Sequence, residues 1–147
     1  MRPLRGLNLP KFFNYYESPV KLVGTAEGAV AAWRLSRESG GWREASKLID
    51  KVLFLGGDEI NEISRDEFVQ LTEQGRGRYL RGEGPVFALY ETVRGLEDTI
   101  REERRYPTTR EQALIRGIRR RTFVMFEEQL QRAGDPGADP GIATDAS

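Results

Sequence analysis

Gly75–Pro85, GRGRYLRGEGP, packs four glycines and three arginines into eleven residues. Residues of these types can hold phosphate, so that chemistry is tested first. A P-loop needs Gly-x-x-x-x-Gly-Lys-Ser/Thr, because the lysine and the hydroxyl serve phosphate and magnesium. Neither follows the glycines here. The dinucleotide fingerprint needs a preceding strand, but Phe68, Leu71, Thr72, Gly75 and Tyr79 recur at helical steps. Arg-Gly segments bind RNA with aromatic stacking, yet those are long and disordered, and this one is short and periodic. The stretch is read as structural. Gly75 shares a face with Phe68, Leu71 and Tyr79 and would let another helix come close, whereas Gly77 has no packing reason at this level. Gly82 and Gly84 are read as a C-cap and a turn before Pro85. Arg76, Arg78 and Arg81 are then free either to solvate a glycine-softened helix or to present charge to a partner.

The second basic cluster is IRGIRRR, residues 115–121. Arg116, Arg119, Arg120 and Arg121 are the nucleic-acid candidates, as a recognition helix or phosphate clamp. Against this, no helix-turn-helix pattern precedes them, and Glu127 and Glu128 are read as continuing the same polar face. The acidic run GGDEINEISRDE (56–67) does not fit a calcium loop. Asp58, Glu59, Glu62, Asp66 and Glu67 miss the D-x-D-x-D-G spacing with its terminal glutamate. No metal site and no cofactor is expected. Paired carboxylates for hydrolysis are set by the fold, so sequence spacing carries no signal for them.

The sequence has no histidine and no cysteine. That removes Ser-His-Asp and Cys-His nucleophiles, thiol redox chemistry, disulfides and the usual zinc sites. An enzyme is therefore not expected. Net charge is zero, so no global field favours nucleic acid or an anionic membrane. Among the 23 basic residues only Lys11, Lys21, Lys47 and Lys51 are lysine. Such an arginine bias is what a GC-rich bacterial genome encodes. No apolar run approaches a membrane span or a signal peptide, and a cytoplasmic location is expected.

These residues must be positioned by the elements around them, within one domain over 1–133. The first ten residues read as an irregular arm. Residues 11–44 read as a small antiparallel sheet of about three strands, KFFNYYE, VKLVGT and AVAAWRLS, with WRE as a further short candidate and a turn at Ser18-Pro19. Ser46 is placed to cap a helix whose apolar side is Leu48, Ile49, Val52 and Leu53, stopped at Gly56-Gly57. DEINEI fits a short turn or an edge strand. Ser64 with Glu67, and Thr108 with Glu111, are capping boxes, and Pro85 suits a first helical position. Helices are expected from Ser64, Pro85 and Thr108, the last running to about Ala133. Residues 134–147 have almost nothing to bury and are read as a disordered acidic tail. The fold class is α+β, a small N-terminal sheet packed with about four helices.

Phe12, Phe13, Tyr15 and Tyr16 put rings on both faces of any strand they form. One face can enter a core; the other needs a cover, from a helix, from the N-terminal arm or from a partner. Phe13, Tyr15, Tyr16, Arg76, Arg78 and Arg81 are accordingly the candidates for binding another protein. The expected function is a non-catalytic interaction module: an adaptor, a regulator or a neutralising partner. The alternatives are nucleic-acid binding through the arginine clusters and, further off, an Asp/Glu-dependent hydrolase.

Overall fold

A computed structural model describes residues 8–55 and 59–144. Most of the expected N-terminal arm, the Gly56-Gly57 stop with Asp58, and the last three residues lie outside that range. The fold is α+β, with the sheet formed by the N-terminal part and the long helices following it.

Five antiparallel strands form one sheet in the order β4-β3-β2-β1-β5. They are β1 Lys11–Tyr15, β2 Ser18–Gly24, β3 Val30–Leu35, β4 Trp42–Glu44 and β5 Ile60–Ile63. The expectation of about three strands was short at both edges. WRE adds β4, and INEI adds β5 by pairing with β1 from Phe12↔Ile63 to Tyr15↔Ile60. The β1–β2 turn is also shifted. Tyr15 pairs with Ser18, so the two-residue turn is Tyr16-Glu17, and Ser18-Pro19 already belong to β2.

Period-2 alternation sorts the aromatic run onto the two faces. Phe12 joins Leu35, Trp42, Phe68, Val69, Phe123 and Ile142 on the helical side. Phe13 and Tyr15 join Val20, Leu22, Ala32 and Val52 on the other. That second face is covered by the segment expected to be a helix from Ser46, and its apolar side is the expected one. Leu48, Ile49 and Leu53 all pack onto the cluster. Its geometry differs: a 3-10 turn at Ser46–Leu48 and a π-helical turn at Lys51–Leu55. Ser46 does not cap it; the side chain of Glu44 takes the Ser46 amide at 2.6 Å instead.

Three long helices follow: α1 Arg65–Tyr79 and α3 Thr109–Arg132 pack on the first face, and α2 Pro85–Glu102 packs against both of them. Both capping boxes form, at Ser64/Glu67 and Thr108/Glu111, and Pro85 opens α2. Arg105 grips Glu111 at 2.7 and 2.9 Å and holds its carboxyl down at about 2. α1 ends at a Leu80 C-cap rather than at Gly82. Gly84, at φ 106°, is the N-cap residue of α2.

The acidic tail is not a free tail over residues 134–144. It crosses the helical side as a strap and ends in a short helix, α4 Gly141–Thr144. Ile142 is buried in the core, and the Asp135 carboxylate accepts the Trp42 backbone amide at 2.9 Å.

Candidate binding face

What α1 presents outward depends on what it holds inward. Phe68, Thr72 and Arg76 follow at steps of four and share one buried stripe. Arg76 is fully buried rather than presented to a partner, which corrects its reading as a binding residue. Its Nε donates to the Gly40 carbonyl at 2.9 Å, and its Nη1 to Glu73 at 2.8 Å. Its Nη2 donates to Glu127. The guanidinium carbon lies 4.3 Å from the centre of the Phe126 ring. Gly40 has φ 76°, and a Cβ there would sit 2.6 Å from Leu80 and 2.7 Å from Phe126. Only glycine brings that carbonyl to Arg76.

Glu127 is likewise buried, not part of a polar face with Glu128. It accepts from Trp42 Nε1 at 3.0 Å and from the Asp139 amide at 2.8 Å. Tyr90 Oη donates to Glu73 at 2.6 Å. Burial raises the Glu73 carboxyl and the Tyr90 hydroxyl above their ordinary values.

Lys21 supplies a second buried cation beneath the strap. It lies 4.5 Å from the centre of the Trp42 ring and donates to the Gly137 carbonyl. Burial pushes its ammonium down to about 8, against the pull of Glu127. The unfolded chain keeps the ordinary lysine value of about 10.4. Between those values the unfolded state binds more protons, so stability tied to Lys21 is lowest below pH 8 and grows as pH rises through the window. Urea unfolding at pH 7, 8.5 and 10 should show the wild type gaining on Lys21→Met as pH rises. Parallel profiles would show that Lys21 keeps its proton throughout.

Gly77, unexplained from sequence, lies under Tyr90: a Cβ there would meet the ring at 3.5 Å. Gly75 faces Leu35 at the same separation. Both are ordinary van der Waals separations, so close packing does not require glycine at either position, and Gly75 faces the sheet residue Leu35 instead of the helix it was expected to admit.

With Arg76 turned inward, Arg78 and Tyr79 emerge on the outer side. Tyr79 is 46% exposed. Its ring lies 5.1 Å from the Arg37 guanidinium and 5.4 Å from that of Arg78. Beside it a cavity of about 290 Å³ separates α1 from the β1–β2 hairpin, lined by Asn14, Glu17, Arg37 and Gln74 among others. Asn14 Oδ1 is buried and has no hydrogen-bond partner. A neighbouring hollow of about 330 Å³ shares Ser18, Leu35 and Arg37 and adds Tyr16, Arg34 and Arg43. The two make one surface around the hairpin tip.

The tip is strained. Tyr16 has φ 48° and Glu17 φ 62°, the left-handed pair that a tight hairpin normally gives to Asn-Gly. Non-glycine residues held there cost about 1–3 kcal/mol each. The result is that Tyr16 stands 56% exposed at the rim.

The other candidates divide. Phe13 and Tyr15 are core residues and not a binding face. Arg81 is exposed, but its Nη1 donates to the Arg78 and Leu80 carbonyls at 3.1 and 2.8 Å, at the α1 C-terminus. Arg116 and Arg120 both reach Asp66, the latter at 3.5 Å. Arg119 reaches Glu97 at 3.2 Å, and Arg121 is exposed. Three of the four nucleic-acid candidates therefore tie α3 to its neighbour helices. Among the described residues no group of acids is arranged to hold a metal ion, and no helix is long and apolar enough to cross a membrane.

The chain matches no protein-family model, no curated protein and no solved structure.

Tyr16 and Arg78 thus remain from the sequence candidates. Arg37 and Tyr79 join them, although no sequence signal singled them out. Arg37 lies in a turn, and Tyr79 was counted as part of an inward stripe.

Proposed function

We propose that this chain is a non-catalytic protein-interaction module of the bacterial cytoplasm. It acts as an adaptor, regulator or neutralising partner by docking an acidic segment of another protein around the hairpin tip. The observation that carries the reading is the strained, non-glycine turn at Tyr16-Glu17. It holds an exposed tyrosine beside a second one flanked by Arg37 and Arg78. Backbone strain held in place by its surroundings clusters at binding sites. Tyrosine and arginine are the residue types that most often anchor interfaces. Arg34, Arg37, Arg43 and Arg78 outnumber Glu17 and Glu38 on this surface, which selects an acidic partner. The unpaired Asn14 oxygen asks for a donor, such as a peptide N–H.

The test is fluorescence anisotropy with an Asp/Glu-rich peptide, a Lys-rich peptide of equal length and a labelled oligothymidylate. The acidic peptide is expected to bind, and Arg78→Glu and Tyr79→Ala each to weaken it by roughly ten-fold or more. Replacing Tyr16-Glu17 by Asn-Gly should stabilise the fold by about 1–2 kcal/mol and still lose affinity. Equal binding by the wild type and both single variants would overturn the reading. Preferential binding of the oligothymidylate would replace it with nucleic-acid recognition.

A further inference from the structure

On the opposite side of α1 a second cavity, of about 410 Å³, opens between α1, α2 and α3. This size suits a small-molecule site. Arginines converge on it from three directions. Arg94 and Arg101 lie two turns apart on one face of α2, Arg119 faces them from α3, and Arg78 and Arg81 close the end at α1. Two of these are largely sunk into the wall: the side chain of Arg119 is 15% exposed and that of Arg94 is 26% exposed. A guanidinium held there has lost part of its water, which strengthens its attraction for an oxyanion.

The acids of the cleft do not use up this charge. Glu73, at the floor, is already engaged by Arg76 and by the Tyr90 hydroxyl. Glu97 meets one nitrogen of Arg119 at 3.2 Å, and Asp98 one nitrogen of Arg101 at 2.8 Å. Glu91 comes only within 4.0 Å of Arg94. Each guanidinium has five N–H donors in a fork, so donors remain on all three. Arg94 spends one on the Gly77 carbonyl. Arg81 too spends donors on carbonyls at the end of α1, which leaves Arg78, Arg101 and Arg119 facing the Glu97 and Asp98 carboxylates.

We propose that this cleft binds a small polyanion with at least two oxyanion groups, phosphate or carboxylate. Forked guanidiniums match both geometrically. Arg101 and Arg119 take one group each from opposite walls. The cleft shares Arg78 with the peptide-docking face but not Arg101 or Arg119, so either proposal can fail alone.

The probes are inorganic pyrophosphate and citrate, titrated into the full-length protein at low and moderate salt and followed by amide NMR. Shifts are expected at Tyr90, Val93 and Thr122, which line the cleft. Response to both ligands, or to one of them, supports the site and shows which oxyanion it prefers. Arg101→Gln, at a well-exposed position, and Arg119→Gln should each weaken binding by roughly ten-fold. Arg110→Gln, exposed and outside the cleft, should not. No shift with either ligand overturns the proposal. So does binding that Arg101→Gln leaves unchanged, or that Arg110→Gln weakens equally.

Discussion

Arg76→Ala is expected to cost about 3–5 kcal/mol of folding stability, the largest effect of any single change predicted for this chain. The cost is not the value of a salt bridge. A buried ion pair taken whole is often no better than apolar residues of the same volume, because two charges must leave water. Removing one partner is another matter. Without Arg76 the Glu73 and Glu127 carboxylates stay buried in a site walled by Phe123, Phe126 and Trp42, and the Gly40 carbonyl loses its donor. Lys21 offsets part of the charge through its attraction to Glu127. Glu73 has the simplest escape, since burial already raises its carboxyl and Arg76 is the main opposing influence.

In Arg76→Ala, Glu73 would fold protonated over a wider pH range than it does unfolded. Such a group adds stability below its unfolded value and loses it as pH climbs towards the folded one. The defect should therefore shrink between pH 7 and pH 5. Urea midpoints at both pH values check this. A loss under about 1 kcal/mol at pH 7 would mean that the two carboxylates are not held as drawn. A second comparison separates charge from packing. Arg76→Met together with Glu73→Leu and Glu127→Gln keeps an acceptor for Trp42 Nε1. It should be much closer to wild type than Arg76→Ala alone.

This network also shows where sequence reasoning stops. The capping boxes and Pro85 were legible because each depends on residues within one turn of chain. Arg76 and Glu127 were assigned outward because arginine and glutamate are almost never fully buried unless paired. Their spacing pointed the other way. Arg76 is four residues past Thr72 and eight past Phe68; Glu127 is four past Phe123. By that spacing both fall on the buried stripes, but their residue types carry no sign of it. What no local pattern contains is the partner, since Arg76 and Glu127 are 51 residues apart and become each other's reason for burial.

The Tyr16-Glu17 turn was illegible for a different cause. The usual hairpin signal is a residue that favours positive φ, and NYYESP offers none, so the turn was assigned to the familiar Ser-Pro pair. Arg37 and Tyr79 became neighbours only when α1 packed across the β3–β4 connection. A binding face assembled from two turns and a helix end leaves no spacing to read. The aromatic run was half legible. Alternation required a cover for the second face, but nothing local showed that residues 48–53 would supply it.

The strap misled for a compositional reason, which makes Gly137→Ala the second large prediction. Its sequence, GDPGADPGIA, has little apolar surface, and low apolar content usually means disorder. Yet its role rests mainly on backbone groups. The Asp139 amide and the Gly137 carbonyl complete the bonding of Glu127 and Lys21, while Ile142 supplies the single large apolar anchor. Gly137 must come close to do this. A Cβ there would stand 2.5 Å from the Trp42 Cβ and 2.9 Å from the Trp33 ring. The Trp42 Cβ cannot swing away, because it is fixed by its own strand. The strap must therefore lift, and lifting it unmakes the bonds to Lys21, Glu127 and Trp42 together.

Overpacking alone costs about 1–3 kcal/mol, and the coupled bonds should place Gly137→Ala at the top of that range or above it. The loss should be local as well as global. Tryptophan emission should move to the red, and the Asp139 and Trp42 amides should exchange faster than those of β1 and β2. Thr144→Ala, at an exposed position of the same segment, should stay within about 0.5 kcal/mol of wild type. Wild-type emission and exchange in Gly137→Ala would show that the strap is not fastened at this glycine. Faster exchange with little global loss would show instead that the strap opens as a unit while the sheet and the three long helices stay folded. The buried lysine would then be the first charge to meet water.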